Sequence, residues 1–212
     1  TLIKNLGVEI RLNTAIDTPD AFDDLLSAND ALYIAAGAHK SQLLEIHGEE
    51  LPGVIHGIAF MKDTNLGTLK TVPEKVVVLG GGFTAIDCAR SSLRLGAREV
   101  SIAYRRTLEE MPAGEIEVRI SEEEGIKMHY LTSPIRIPGG CDQKVTQIEC
   151  LKNTLGKPDD KGRRRPIPVD GSNFTIPADM IIAAIGQSPH LPFISHTLGI
   201  EVTRLGMPLV NQ

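Results

Sequence analysis

The 212-residue chain contains no tryptophan, three tyrosines and five phenylalanines, so aromatic residues make up only 4% of it. It also lacks an excess of positive charge. Its 22 Lys+Arg face 27 Asp+Glu, a net charge of −5, which excludes a general binder of nucleic acid or anionic membrane, since either partner wants a basic surface. No apolar run approaches the roughly 18 residues of a membrane span, and no basic segment followed by an apolar core opens the chain. Membrane and secretory readings fall away. Cysteine is scarce: Cys88, Cys141 and Cys150 are odd in number and never form C-x-x-C, which excludes a disulfide framework and a cysteine-rich metal or iron-sulfur site within these residues. A reducing cytoplasm is the expected location. The first residue is Thr1, not Met, so the sequence reads as an excised piece whose length misleads about domain count.

What is present is ordinary for a folded chain, 42% hydrophobic and 23% charged. Gly7 to Leu12 alternates apolar and polar residues and predicts a short strand. Asp20 to Ala28 predicts a helix with Asp20 as N-cap and Phe22, Leu25 and Leu26 on one face. Ala31 to Ala36, closed by Gly37, predicts a buried strand. Glu49 to Val54 carries a turn signal, and a connecting stretch continues to Val72. From Pro73 the pattern sharpens: a β-branched strand at Glu74 to Leu79, a glycine turn, a helix from Phe83 to Leu95 closed by Gly96, and a strand at Glu99 to Tyr104. This is a βαβ unit of about 30 residues, the usual size of that motif. An acidic helix at Glu115 to Glu124 and a strand at Lys127 to Tyr130 follow. Between Ser133 and Pro177 short alternating runs split by Gly and Pro predict an inserted antiparallel meander. Its basic turn, with Lys161, Arg163, Arg164 and Arg165, reads as a solvated hairpin loop in preference to a nucleic-acid patch. Ala178 to Ile185 returns as a buried strand ending in Gly186.

The chemistry concentrates in Gly80-Gly81-Gly82-Phe83-Thr84-Ala85. It contains G-x-G-x-x-A, placed directly after a predicted strand and at the start of a predicted helix, the context that the dinucleotide fingerprint requires. Gly80 permits the tight turn, Gly82 lets backbone approach a pyrophosphate, and Ala85 keeps the helix close to the sheet. The helix N-terminus offers that pyrophosphate unpaired N–H groups and the positive dipole end. Nucleotide choice is decided about 20 residues on, at the end of the second strand. NAD needs a carboxylate there for its 2′-hydroxyl, whereas this chain has Arg105-Arg106, which suits the 2′-phosphate of NADP(H). One charge-assisted contact contributes about 1.5 to 3 kcal/mol before screening. Glu109 and Glu110 lie where they could pair with these arginines in an empty site.

GGGFTAIDCARSSLRLGA, followed by YRRTLEEMPA and later by DMIIAAIGQSP, resembles the small-subunit family of NADPH-dependent glutamate synthase, with dihydropyrimidine dehydrogenase and the bifurcating ferredoxin:NADP oxidoreductases as relatives. DALYIAAGAH resembles the family's D-A-V-F-I-A-T-G-A, with Ala36 where threonine is usual. The resemblance implies an α/β, Rossmann-like FAD/NAD(P)-binding fold with a central parallel sheet, an antiparallel insertion and part of a second, FAD-type domain. It implies that 1–56 is part of the FAD domain, 57–72 a connector, 73–189 the NADPH domain and 190–212 the return to the FAD domain. It further implies NADPH and FAD as cofactors, iron-sulfur clusters only in an upstream region, and an electron-accepting partner subunit or domain, with no nucleic acid or membrane.

The mapping sets Ala184, Ile185 and Gly186 either beside the nicotinamide half of the nucleotide or at a purely structural strand end, and Ala35, Ala36 and Gly37 beside FAD. There is no second glycine fingerprint in this chain, and it stops at Pro208-Leu209-Val210 before the family's closing A-G-D flavin motif, so an incomplete flavin site is expected. No catalytic acid or base is needed, because the cofactors perform the redox step. Cys88 reads as a small buried residue, and the lack of C-x-x-C excludes thioredoxin-reductase-like dithiol chemistry. Histidines 39, 47, 56, 129, 190 and 196 lack metal-ligand spacing, and no metal site is expected. Two other readings stay open: a ferredoxin:NADP reductase type of flavoprotein, or a non-catalytic nucleotide-binding module.

Overall fold

The computed structural model describes residues 2–140, 142, 144–159, 162–194, 200–203 and 208–209; Thr1, Cys141, Lys161, His196 and Val210 lie outside the described residues. The chain divides into two compact units, Thr1–Lys40 with Ser188–Gln212, and Ser41–Gln187.

In the first unit, α1 (Leu2–Asn5) is a single turn and α2 spans Pro19–Ser27. Thr18, not Asp20, is the N-cap of α2. Its hydroxyl accepts the Ala21 N–H at 3.3 Å, and Pro19 takes the first helical position, where a missing N–H costs nothing. Phe22 is buried and stacks on Phe193 at a centroid distance of 5.2 Å, while Leu26 is exposed. The strands expected at Gly7 to Leu12 and at Ala31 to Ala36 do not form. Val8, Ile10, Leu12 and Tyr33 are all exposed, Tyr33 by 92%. An apolar period makes a strand only with a ladder to join, and neither segment has one among the described residues.

In the second unit the chain runs through β1 (Val54–His56), α3 (Gly57–Asn65), β2 (Lys75–Leu79), α4 (Phe83–Arg94), β3 (Glu99–Ala103), a 3-10 turn at Leu108–Glu110, α5 (Glu115–Glu123), β4 (Lys127–His129), β5 (Thr132–Arg136), β6 (Gln147–Pro158), β7 (Arg164–Pro168), β8 (Phe174–Pro177) and β9 (Met180–Ala183). Five strands form a parallel sheet in the order β1-β9-β2-β3-β4. The other four form an antiparallel sheet around β6. This is the α/β arrangement that the sequence predicts.

The uninterrupted Val76-Val77-Val78-Leu79 is apolar because both faces of the parallel sheet are covered. Val76 and Val78 join Phe60, Ile86, Ala89, Val118 and Ile182 on the helical side. Val77 and Leu79 join Ile137, Ile148, Cys150, Ile176 and Ile181 on the side of the insertion. In α4, Ala85, Ile86, Cys88, Ala89 and Ser92 are buried, the i, i+3, i+4, i+7 stripe of a helix lying on a sheet. Gly96, at φ +101, stops that helix: its N–H bonds the Leu93 carbonyl at 3.1 Å, and the Ala97 N–H bonds that of Ser92 at 3.0 Å.

The turn expected at Glu49 to Val54 forms, with the Val54 N–H bonding the Leu51 carbonyl at 3.0 Å, but the stretch beyond it, read as a connector, differs most. Val54–His56 pairs with β9 as an edge strand, and α3 carries the fully buried Phe60 into the helical layer. Both elements belong to the compact unit Ser41–Gln187. A three-residue strand has too short an apolar run to show a period, and its ladder partner is more than 120 residues away.

Candidate functional site

Residue register lines up the carboxyl ends of all five parallel strands. Ala183 pairs with both His56 and Leu79, Leu79 with Ala103, and Ala103 with His129. The loops that follow these residues share one edge, where ligands bind in open α/β sheets.

The three glycines of the turn after β2 have three different reasons to be glycine. Gly80 has φ +141, and a Cβ there would overlap the Ala184 carbonyl oxygen and lie 2.9 Å from its carbon. Its N–H bonds the Ala103 carbonyl at 3.1 Å, and the Ala184 N–H bonds Leu79 at 2.8 Å, so the turn is fastened from both neighbouring strands. Gly81 faces the Tyr104 ring, which a Cβ would approach to 2.5 Å. Gly82 has an ordinary extended backbone, φ −92 and ψ 176, and a Cβ there would meet nothing within 4 Å. It is the N-cap of α4 and supplies no side-chain cap, so the first N–H groups of that helix lack the partner a Ser or Asp would give. Phe83 is 60% exposed, Thr84 half-buried and Ala85 fully buried against the sheet. The cradle is open at Gly82 and closed beneath it, as a pyrophosphate seat needs to be.

Arg105 and Arg106 follow β3. Tyr104, between the strand and the arginines, wedges its ring under Gly81 and donates its hydroxyl to the Glu110 carbonyl at 2.7 Å, while the Ala113 N–H bonds Gly81 at 3.2 Å. The arginine loop and the glycine turn are thereby held together. Arg105 is exposed; Arg106 is half-buried, and its Nε is buried with no partner among the described residues. Ala184 borders Gly80, followed by the exposed Ile185 and by Gly186 at φ +134. Ala35, Ala36 and Gly37 belong to the other compact unit, are exposed, and lie in no strand. Gly37, at φ +68, is the single glycine there, and a Cβ on it would meet only the His39 side chain. That segment alone forms no phosphate cradle.

Residues 18–212 match the model of the pyridine nucleotide-disulphide oxidoreductase family. The chain belongs to that family. It is 41% identical over 206 residues to the NADPH-Fe(3+) oxidoreductase subunit beta of Geobacter sulfurreducens, covering 96% of this chain and 31% of the relative. It is 44% identical over 207 residues to the NADP(+)-dependent formate dehydrogenase subunit beta of Moorella thermoacetica (96% and 29%). With the glutamate synthase [NADPH] small chain of Escherichia coli it shares 36% over 200 residues (89% and 42%). The chain thus spans between 29% and 42% of the length of these curated relatives. Among solved structures, FprA from Mycobacterium tuberculosis in complex with NADPH superposes with a TM-score of 0.65 at 23% identity, over 79% of this chain and 52% of that one. Thioredoxin reductase of Lactococcus lactis gives 0.61 at 24%, over 82% and 50%. At those identities the likeness is one of fold.

In this pyridine nucleotide-disulphide oxidoreductase the pairing expected between Glu109 or Glu110 and the arginines after β3 does not form among the described residues: the ion pair of Glu110 is with Arg164 of the insertion, and Arg106 acts on it only as a lesser, more distant attraction. The Glu110 carboxylate accepts the Thr107 hydroxyl and the Thr107 N–H, the latter at 3.2 Å, and Arg164 Nε lies 3.9 Å away. The Thr107 hydroxyl, with lesser help from the Thr107 N–H, Arg164 and Arg106, holds the carboxyl below its ordinary value against the opposing effect of burial.

Sequence reasoning passed over several residues of this edge. Gly57 opens α3, and a Cβ there would press on Ala184 Cβ at 3.1 Å and Thr84 Cγ2 at 3.2 Å. Asn153 of β6, 4% exposed, donates its Nδ2 to the Arg105 carbonyl at 3.1 Å and to Ser133 Oγ at 2.9 Å. Gly57 was legible as a glycine after a short apolar run, whereas nothing in the sequence around Asn153 signals its partner. Burial pushes the Cys88 thiol up to about 12, with Asp87 adding to the effect, and burial likewise pushes Cys150 to about 12. Neither is a nucleophile at neutral pH. Among the described residues no group of three or more His, Cys, Asp or Glu could hold a metal, and no helix is long and apolar enough to cross a membrane.

Proposed function

We propose that this chain is the NADPH-binding portion of a flavin-dependent oxidoreductase of the glutamate synthase small-subunit type. The observation that carries the reading is the glycine turn. It is open only at Gly82 and lies at an uncapped helix N-terminus, and the ring of Tyr104 ties it to an arginine pair whose Arg106 Nε has no partner among the described residues.

Gly80 to Ala85 would seat the pyrophosphate, with backbone N–H groups as donors. Arg105 and Arg106 would take the 2′-phosphate. Ala184, Ile185 and Gly186, with small side chains or none at 184 and 186, would border the nicotinamide half. FAD, held in the longer protein, would accept the hydride and pass electrons on toward iron-sulfur clusters and a partner subunit. Ala35 to Gly37 would touch that flavin, with 1–56 and 190–212 contributing to its domain. The residues of this chain bind and orient the nucleotide and are not asked to move a proton. These residues alone would therefore bind NADPH and turn over nothing appreciable. A reducing cytoplasm suits the two buried free thiols.

Calorimetric titration of the chain with NADPH, NADH and FAD tests this. NADPH is expected to bind most tightly, and Arg105→Ala or Arg106→Ala to narrow its lead over NADH by roughly tenfold or more. Tighter binding of NADH by the unaltered chain would overturn the 2′-phosphate assignment. Purification as a yellow protein with stoichiometric flavin would overturn the assignment of an incomplete flavin site.

A further inference from the structure

The antiparallel insertion carries a basic run that neither the sequence motifs nor the dinucleotide fingerprint uses. Most of it is solvated, as expected: Arg163, Arg164 and Arg165 are all exposed. Arg164 nevertheless has a partner outside the hairpin. The turn is closed by Asp159, whose carboxylate accepts the Arg163 N–H at 2.8 Å and whose own N–H bonds the Arg163 carbonyl at 2.9 Å. This fixes the start of β7, and the Arg164 guanidinium reaches the carboxylate of Glu110. Glu110 is six residues past Tyr104, in the loop that carries Arg105 and Arg106, and its side chain is only 16% exposed.

Thus one carboxylate joins two separate elements: it pairs with Arg164 at the head of β7 at 3.9 Å, and it lies in the loop that carries Arg105 and Arg106 after β3, where Arg106 attracts it without forming an ion pair. A carboxylate and a phosphate make the same demand on guanidinium groups, namely parallel N–H donors around a compact anion. The Arg164 side chain is 47% exposed, and its ion pair with Glu110 is long at 3.9 Å, which leaves most of its five donors available.

We propose that Arg164 is a third cation for the 2′-phosphate of NADPH, contributed by the antiparallel insertion, and so a specificity-determining residue for 2′-phosphorylated adenine nucleotides. This rests on the reading of Arg105 and Arg106 given above. It assigns the insertion a part in nucleotide choice, in addition to covering one face of the sheet.

The test uses two small ligands that differ only in that phosphate, 2′,5′-ADP and 5′-AMP, titrated calorimetrically into the unaltered chain, Arg164→Ala, and the double variant Arg105→Ala/Arg106→Ala. Circular dichroism confirms that each variant is folded. Arg164→Ala is expected to weaken 2′,5′-ADP by about fivefold to tenfold, between the worth of an exposed ion pair and that of a charge-assisted hydrogen bond, and to leave 5′-AMP unchanged. If the double variant abolishes the preference for 2′,5′-ADP while Arg164→Ala preserves it, the proposal fails and the arginine-pair reading stands. If neither variant alters the preference, both fail. Equal weakening of the two ligands by Arg164→Ala would likewise overturn the assignment, because the arginine would then act on something other than the 2′-phosphate.

Discussion

Gly82→Ser separates what the glycine turn does for the fold from what it does for a ligand. At φ −92 and ψ 176, position 82 lies in the extended region open to any residue, and a side chain there meets nothing within 4 Å. Removing a glycine at a compatible site stabilises by about 0.4 to 1 kcal/mol through the unfolded chain, and a serine N-cap adds a few tenths. The sum of about 0.5 to 1.5 kcal/mol raises Tm by roughly 1 to 6 °C in a chain of this size. Under the proposed assignment the same side chain stands where the pyrophosphate would come close to backbone. Loss of one charge-assisted hydrogen bond, about 1.5 to 3 kcal/mol, weakens NADPH at least roughly tenfold, and NADH equally because both carry the pyrophosphate. Gly80→Ser is the contrast. Its φ of +141 and the overlap with the Ala184 carbonyl together cost about 2 to 6 kcal/mol, so Tm falls by at least roughly 4 °C. Thermal unfolding and calorimetric titration of the two variants decide the matter. A Gly82→Ser chain that binds both nucleotides with unchanged affinity would refute the pyrophosphate assignment, and a Gly80→Ser chain as stable as the original would refute the turn geometry.

Glu110 should make stability depend on acidity in one direction. Its carboxyl is held below the ordinary value of 4.5, so the native state binds fewer protons than the unfolded one; the contribution is complete above about 4.5 and is lost as pH falls through the depressed value. The urea midpoint of the unaltered chain should therefore exceed that of Glu110→Gln at pH 7, with the gap closing toward pH 3; a gap constant with pH counts against it. The two buried thiols should be inert: in a Cys141→Ser background, neither Cys88 nor Cys150 should be alkylated at pH 8 until denaturant is added, and rapid labelling of the folded chain would contradict their burial.

The parts of the fold legible in sequence are those whose determinants are local. The run Val76 to Leu79, the glycine turn, the stripe of α4 and the stop at Gly96 all lie within about twenty residues of one another, and each reports its own conformation. Burial on both faces made the second strand readable as a continuous apolar run, and the glycine-punctuated alternation of the insertion announced an antiparallel sheet. The failures share a different cause. Val54–His56 is a strand only because β9 lies beside it, and Ala31 to Ala36 is not one because no ladder partner accompanies it among the described residues. Ala31 to Ala36 reads as an apolar run and Val54–His56 reads as turn and connector, yet a ladder is a non-local property that neither reading contains. The site divides in the same way. Gly80, Gly82 and the arginine pair follow from spacing, whereas the reason for Gly81 is a ring 23 residues later and the reach of Arg164 to Glu110 crosses 54 positions.

That division has a physical logic. The pyrophosphate is common to NADH and NADPH, and a backbone turn with an uncapped helix end can recognise it without any side chain, so its determinants can be compact in sequence. The 2′-phosphate distinguishes the two nucleotides and needs guanidinium groups, whose long side chains are useful only if their backbone is held still. Here that backbone is held by residues far from the fingerprint. Tyr104 wedges under Gly81, the Leu131 N–H bonds the Arg106 carbonyl at 2.9 Å, and Asn153 reaches from β6 to the Arg105 carbonyl. The Oδ1 of Asn153 is buried with no partner among the described residues, a cost that the amide bears while its Nδ2 bridges Arg105 and Ser133. A leucine of similar size would remove that orphan acceptor and would also release the arginine loop from β6. The imperfectly satisfied amide is therefore understandable as support for the arginine loop, and under the proposed nucleotide assignment the antiparallel insertion would serve the site in addition to covering the sheet.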